Sequence, residues 1–259
     1  MTLVNKIPCT IVTGFLGAGK TTLVRHVVEN AKGRRLAILV NEFGDVGFDK
    51  SFLAACGVEG CTEDSIVELP NGCICCTVAD DFVPALETLL SRAEPPEHIL
   101  IETSGLALPK PLVQAFQWPA IRSRVTVDGV VAVVDGPAVA AGAFAEDPEA
   151  LAAQRAADQS VDHDNPLEEV FEDQLLCADL VVLNKADLID AATRARVRSE
   201  VEGHLPRAVK VVETANGAID PLVLLGLGAA AEDDLASRPS HHGEGEDHDH
   251  DDFETVALP

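Results

Sequence analysis

Apolar residues fall into two alternating patterns along the chain. Short runs rich in β-branched residues, at 9–13, 36–41, 98–102, 127–135, 180–184 and 209–213, have the length and composition of buried strands. Between them apolar positions recur at helical spacing, as over 21–30, 80–93 and 191–205. Strand and helix in alternation mark repeated βαβ units, so the chain is read as an α/β domain with a mostly parallel sheet flanked by helices. Each strand run ends in a polar or glycine-containing segment, and in such sheets the ligand crevice lies at the carboxyl ends of the strands.

Two stretches depart from the pattern. Residues 143–165 are Ala-rich and acidic with no strand signal, and read as a helical excursion on the surface. From Ala231 the chain turns acidic and His-rich, through His241, His242, His248 and His250, a composition that does not bury an apolar core. The reading is therefore a main domain over 1–230, a flexible linker over 231–252, and a strand-like segment at 253–259 that would open a further domain.

Composition narrows the function classes. With one Trp and no Tyr, the core must be built from Val, Leu, Ile and Ala, the usual make-up of parallel strands covered on both faces. A net charge of -24 argues against attraction to nucleic acid or anionic membrane, since both need clustered Lys and Arg. No segment has the form of a cleaved leader or a membrane span, which points to the cytoplasm. There the seven cysteines, three of them within 73–76, suit metal or redox chemistry better than disulfides.

Gly14-Phe-Leu-Gly17-Ala18-Gly19-Lys20-Thr21 fits the phosphate-binding loop, with a strand before it and a helix after it. Its glycines let successive N–H groups turn toward phosphate oxygens, and the following helix adds the positive end of its dipole. Lys20 would reach the β- and γ-phosphates, and the Thr21 hydroxyl would hold Mg²⁺. Downstream, Asn184-Lys185-Ala-Asp187 ends a strand run. A carboxylate at Asp187 can accept from N1–H and the amino group of guanine, donors that adenine lacks in that geometry, which favours GTP over ATP. Lys185 would lie along the ring, Asn184 would brace neighbouring loops, and Thr214 and Ala215 would add backbone contacts to the base.

Glu102 ends a buried strand run and Gly105 follows three residues later, the places for a carboxylate near Mg²⁺ and a glycine near the γ-phosphate. Leu106 stands where signalling GTPases carry a water-orienting Gln, so slow intrinsic hydrolysis is expected. Cys73-Ile-Cys75-Cys76 can present two or three thiolates to one soft or borderline ion such as Zn²⁺, Co²⁺ or Cu⁺. Cys9 and Cys177 read as buried apolar residues, and His26, His98, His163 and His204 as surface or core residues. The His-rich stretch would hold a metal ion weakly or serve only as a soluble linker.

Gly-Phe-Leu-Gly-Ala-Gly-Lys20-Thr21-Thr22, Val-Asn-Glu42-Phe-Gly, Pro-Asn-Gly-Cys73-Ile-Cys75-Cys76, Glu102-Thr-Ser-Gly105 and Asn184-Lys185-Ala-Asp187 together closely resemble the CobW-like family of metal-trafficking GTPases. The likeness runs from Ile7 to about Leu227 and is nearest to the cobalamin-linked branch. The resemblance implies a P-loop fold of the SIMIBI type. It also implies GTP and Mg²⁺ binding that organises a Co²⁺ or Zn²⁺ site, with Co²⁺ preferred, and hydrolysis that releases the ion to a client metalloprotein or cobaltochelatase. By position it makes Cys75 and Cys76 the leading metal ligands, adds Cys73, and offers Glu42 and Asp45 as switch carboxylates. A nucleotide- or metal-dependent dimer is compatible with it. Two other readings stay open: a metal-storage protein whose tail does the binding, and a regulatory GTPase with a structural zinc.

Overall fold

The computed structural model describes residues 6–40, 66–68, 82–157 and 166–241. Within them the strands are β1 (Ile7–Thr13), β2 (Leu36–Val40), β3 (Ile66–Glu68), β4 (His98–Glu102), β5 (Val125–Asp135), β6 (Leu180–Asn184) and β7 (Lys210–Glu213). They form one sheet in the order β3-β2-β4-β1-β5-β6-β7. Every pairing is parallel, as the alternation of strand and helix requires. The six apolar runs all became strands. The seventh, β3, is only three residues long and carries too little pattern to be read.

The helices are α1 (Lys20–Glu29), α2 (Val83–Leu90), α3 (Pro109–Ala115), α4 (Gly136–Ala140), α5 (Pro148–Ala157), α6 (Leu167–Cys177), α7 (Ala191–Gly203) and α8 (Pro221–Leu224). β1 is central and covered on both faces. Cys9 and Ile11 pack with Leu86 and Leu89 of α2 and Leu112 of α3, while Val12 packs with Leu23, Val24 and Val27 of α1. A third cluster joins Phe15 and Leu106 to Leu151 of α5, Phe171 of α6 and Val197 of α7. α5 is thus no detached excursion: Leu151 is 4% exposed and lies in the core.

The expected linker starting at Ala231 is corrected in its first part. Glu232 is 2% exposed, and its carboxylate accepts from Thr126 Oγ1 at 2.6 Å and from the Val127 amide at 2.8 Å. Arg238 is buried too, donating to the Cys177 carbonyl and, at 2.7 Å, to Asp179 Oδ1. Ser240 Oγ and the His241 amide both donate to Asp173, at 2.6 and 2.8 Å. Charged residues are buried here because each meets a partner far away in sequence, which composition does not reveal. The main domain therefore extends to His241 at least. Residues 242–252 and the strand-like 253–259 lie outside the described residues.

Candidate nucleotide and metal site

Parallel pairing puts all strand carboxyl ends at one edge, and the nucleotide motifs meet there. Residues 14–19 leave β1 and turn into α1, with Gly14, Gly17 and Gly19 at φ 137°, 76° and 97°. At Gly14 the constraint is double, since a β-carbon would also run into the Val133 carbonyl of β5. Gly17 is exposed with open space beside it, and Ala18 is buried.

Lys20, at the start of α1, curls back so that Nζ donates to the carbonyls of Gly14 at 2.6 Å and Phe15 at 3.1 Å. Burial lowers its pKa, and the charge of Glu102 works against that shift. Thr21 Oγ1 donates to Glu102 Oε1 at 2.6 Å. Burial raises the Glu102 pKa, opposed by Lys20 and by the Thr21 hydroxyl. Its second oxygen, Oε2, is buried and has no hydrogen-bond partner among the described residues. A hydroxyl beside a carboxylate with an unused buried oxygen offers the hard oxygen donors that Mg²⁺ takes, so this pair fits the ion. Thr22, next along, is exposed.

At the end of β6, Asn184 is 2% exposed and ties three loops together. Its Nδ2 donates to the Ala18 carbonyl at 2.9 Å, and its Oδ1 accepts from Thr214 Oγ1 at 2.9 Å and the Gly217 amide at 3.0 Å. The Ala186 amide donates to the Thr214 carbonyl at 3.0 Å, and Ala215 begins the turn in which Ala218 N bonds back to its carbonyl. Asp187 is exposed on a short 3₁₀ turn, Ala186–Leu188.

Lys185 Nζ is held by Asp135 Oδ2 at 2.6 Å and Glu146 Oε2 at 2.8 Å. These two acids were not singled out from the sequence. Asp135 had a usable signal, an acid closing a strand run, and the structure pairs it with Asn184; Glu146 had none, lying in the 143–165 stretch. Gly105 is buried, and its carbonyl accepts from Gln174 Nε2 of α6 at 3.1 Å.

Glu42, Asp45, Cys73, Cys75 and Cys76 all lie outside the described residues. Among the described residues no group of three or more His, Cys, Asp or Glu is arranged to hold a metal ion. Cys9 and Cys177 are buried, and burial pushes both thiols up, Cys177 to about 11, so neither is a ready thiolate. No helix among the described residues is long and apolar enough to cross a membrane.

The sequence model of the CobW/HypB/UreG nucleotide-binding domain matches residues 8–213. A Sinorhizobium protein named zinc chaperone CobW is 57% identical over 98% of this chain and 73% of its own length. A Pseudomonas aeruginosa protein of the same name is 57% identical over 93% of this chain, which spans 65% of that relative. Among solved structures, the Zn(II)-bound YjiA GTPase from E. coli superposes with a TM-score of 0.55 at 24% identity, covering 86% of this chain and 62% of that one, a likeness of fold. The chain belongs to the CobW/HypB/UreG family of P-loop GTPases, whose nucleotide-binding domain it carries.

Proposed function

We propose that this protein is a GTP-hydrolysing metallochaperone that captures a transition metal at Cys73, Cys75 and Cys76 and releases it to a client when GTP is cleaved. The observation carrying this reading is a shared edge. The carboxyl end of β3 lies on the same side of the sheet as the phosphate loop, and Cys73 follows Glu68 by five residues. β3 stands three strands from β1, about 14 Å at ordinary strand spacing, and five residues can span up to about 17 Å, so the intervening chain is long enough to let thiolates reach the γ-phosphate. In sequence Glu42 and Asp45 come two and five residues after Val40, the last residue of β2, and they would act as the switch carboxylates. Lys20, with the loop amides, binds and orients the triphosphate. Thr21 and Glu102 would hold Mg²⁺, which neutralises charge on the phosphates. Gly14, Gly17, Ala18, Gly19, Thr22 and Gly105 shape the phosphate cradle; Asn184, Lys185, Asp187, Thr214 and Ala215 shape the base pocket.

The cargo is placed as Zn²⁺ ahead of Co²⁺, reversing the order suggested by sequence resemblance. Two relatives at 57% identity are named zinc chaperones, and thiolate sites favour zinc over cobalt in raw affinity. Delivery of cobalt to a cobaltochelatase is the narrower alternative. The protein acts in the cytoplasm, and a dimer formed on nucleotide or metal binding would join two such edges. Titrating Zn²⁺ and Co²⁺ in the presence of GTP analogue, GDP or no nucleotide tests the coupling. Tighter metal binding with the GTP analogue, lost in Cys75→Ser/Cys76→Ser, is expected; equal affinity in the three states would sink the proposal.

A further inference from the structure

Leu106 stands where other P-loop GTPases carry the polar side chain that orients water. The structure supplies one from elsewhere. Gln154 lies on α5, and its Oε1 is buried with no hydrogen-bond partner among the described residues. A β-carbon on Gly105 would come within 2.7 Å of the Leu16 amide nitrogen and 3.2 Å of Gln154 Oε1. The unpaired carboxamide oxygen therefore sits where the phosphate loop meets the glycine that follows Glu102. That junction is the terminal-phosphate end of the cradle, because Lys20 and the Thr21–Glu102 pair flank the same loop.

The placement is built by packing. Phe15 of the phosphate loop meets Phe144 at a ring-centroid distance of 5.5 Å and Phe171 of α6 at 6.1 Å, and Leu151, one helical turn before Gln154, joins the same cluster. Gln174 Nε2 donates to the carbonyls of Gly105 and Ala107, at 3.1 and 3.3 Å. Glu146, in the loop leading into α5, is bonded to Lys185 at the base end. One segment thus touches both ends of the nucleotide site. An unpaired polar atom in such a place costs free energy and is kept where a ligand completes it.

We infer that Gln154 is a catalytic residue of GTP hydrolysis, accepting a hydrogen bond from the attacking water at the γ-phosphate. The water oxygen bonds to the terminal phosphorus as the bond to the bridging oxygen of GDP breaks, and the water proton passes to a phosphate oxygen, giving GDP and inorganic phosphate. Single-turnover hydrolysis by the 259-residue chain with Mg-GTP, read beside fluorescent-GDP affinity, tests this. Gln154→Ala should slow hydrolysis about a hundredfold while GDP affinity stays within about twofold. Gln154→Glu, isosteric but anionic, should weaken a non-hydrolysable GTP analogue about tenfold more than GDP, since its charge meets only the third phosphate. Wild-type hydrolysis by Gln154→Ala overturns the assignment. So does equal weakening of GDP and analogue, or unfolding of both variants, because each would make Gln154 a packing residue.

Discussion

Asp135→Asn isolates the ion pair that holds the base-motif lysine. The side chain of Asp135 is fully buried, and its Oδ2 lies 2.6 Å from Lys185 Nζ. Its Oδ1 also accepts from Ala138 N at 3.1 Å, capping α4; Asn caps about as well as Asp, so the substitution removes charge and spares the helix. The Lys185 side chain is 20% exposed and keeps Glu146, so it is not left bare, and the loss should fall below the penalty for breaking a fully buried pair, at about 2 kcal/mol of stability. Freed from Asp135, the lysine must be ordered when nucleotide binds, which costs about 1–2 kcal/mol and lowers GDP affinity about tenfold. Glu146→Gln is the contrast: that carboxylate is 76% exposed, and its loss should leave denaturant midpoint and GDP affinity unchanged within error. Denaturant unfolding and fluorescent-GDP titration of both variants decide the matter. Equal effects from the two substitutions would show that burial does not set the strength of this pair.

Gly105→Ala would press a methyl onto the Leu16 amide at 2.7 Å, a backbone atom that cannot swing aside; GTP-analogue affinity should fall at least tenfold with fold retained by circular dichroism. His98 is held mainly by burial at a pKa of about 4, against 6.5 for a free imidazole; Asp128 opposes the shift and Arg34 adds to it. The unfolded chain therefore takes up a proton between pH 6.5 and 4 that the folded one does not, so stability present above 6.5 is lost as pH falls through that window. His98→Gln should flatten that part of the stability–pH curve, by up to about 3 kcal/mol at pH 4. Arg238→Ala strips Asp179 and the Cys177 carbonyl of a buried donor and should cost about 3 kcal/mol in urea unfolding, whereas a true linker residue would cost nothing.

Local pattern carried much of the architecture. Six strands stood out as β-branched runs, and because residues 14–21, 102–105 and 184–187 each adjoin one, the nucleotide motifs were legible together with their placement at one edge. That follows from parallel pairing, which puts every strand end on the same side. β3 escaped notice because three residues show no period.

Tertiary structure alone decided the rest, wherever a residue's meaning depends on a partner distant along the chain. Glu232 and Arg238 look like solvated linker until Thr126 and Asp179 are seen beside them. Asp135 and Glu146 meet Lys185 only when β5 and the 143–147 loop bring them together. Gln154 stands far along the chain from Gly105 and no spacing marks it; the packing of Leu151 and Phe144 against Phe15 brings it to the phosphate loop. Periodicity reports which face of an element is buried, whereas the identity of the neighbour is settled only when the elements assemble.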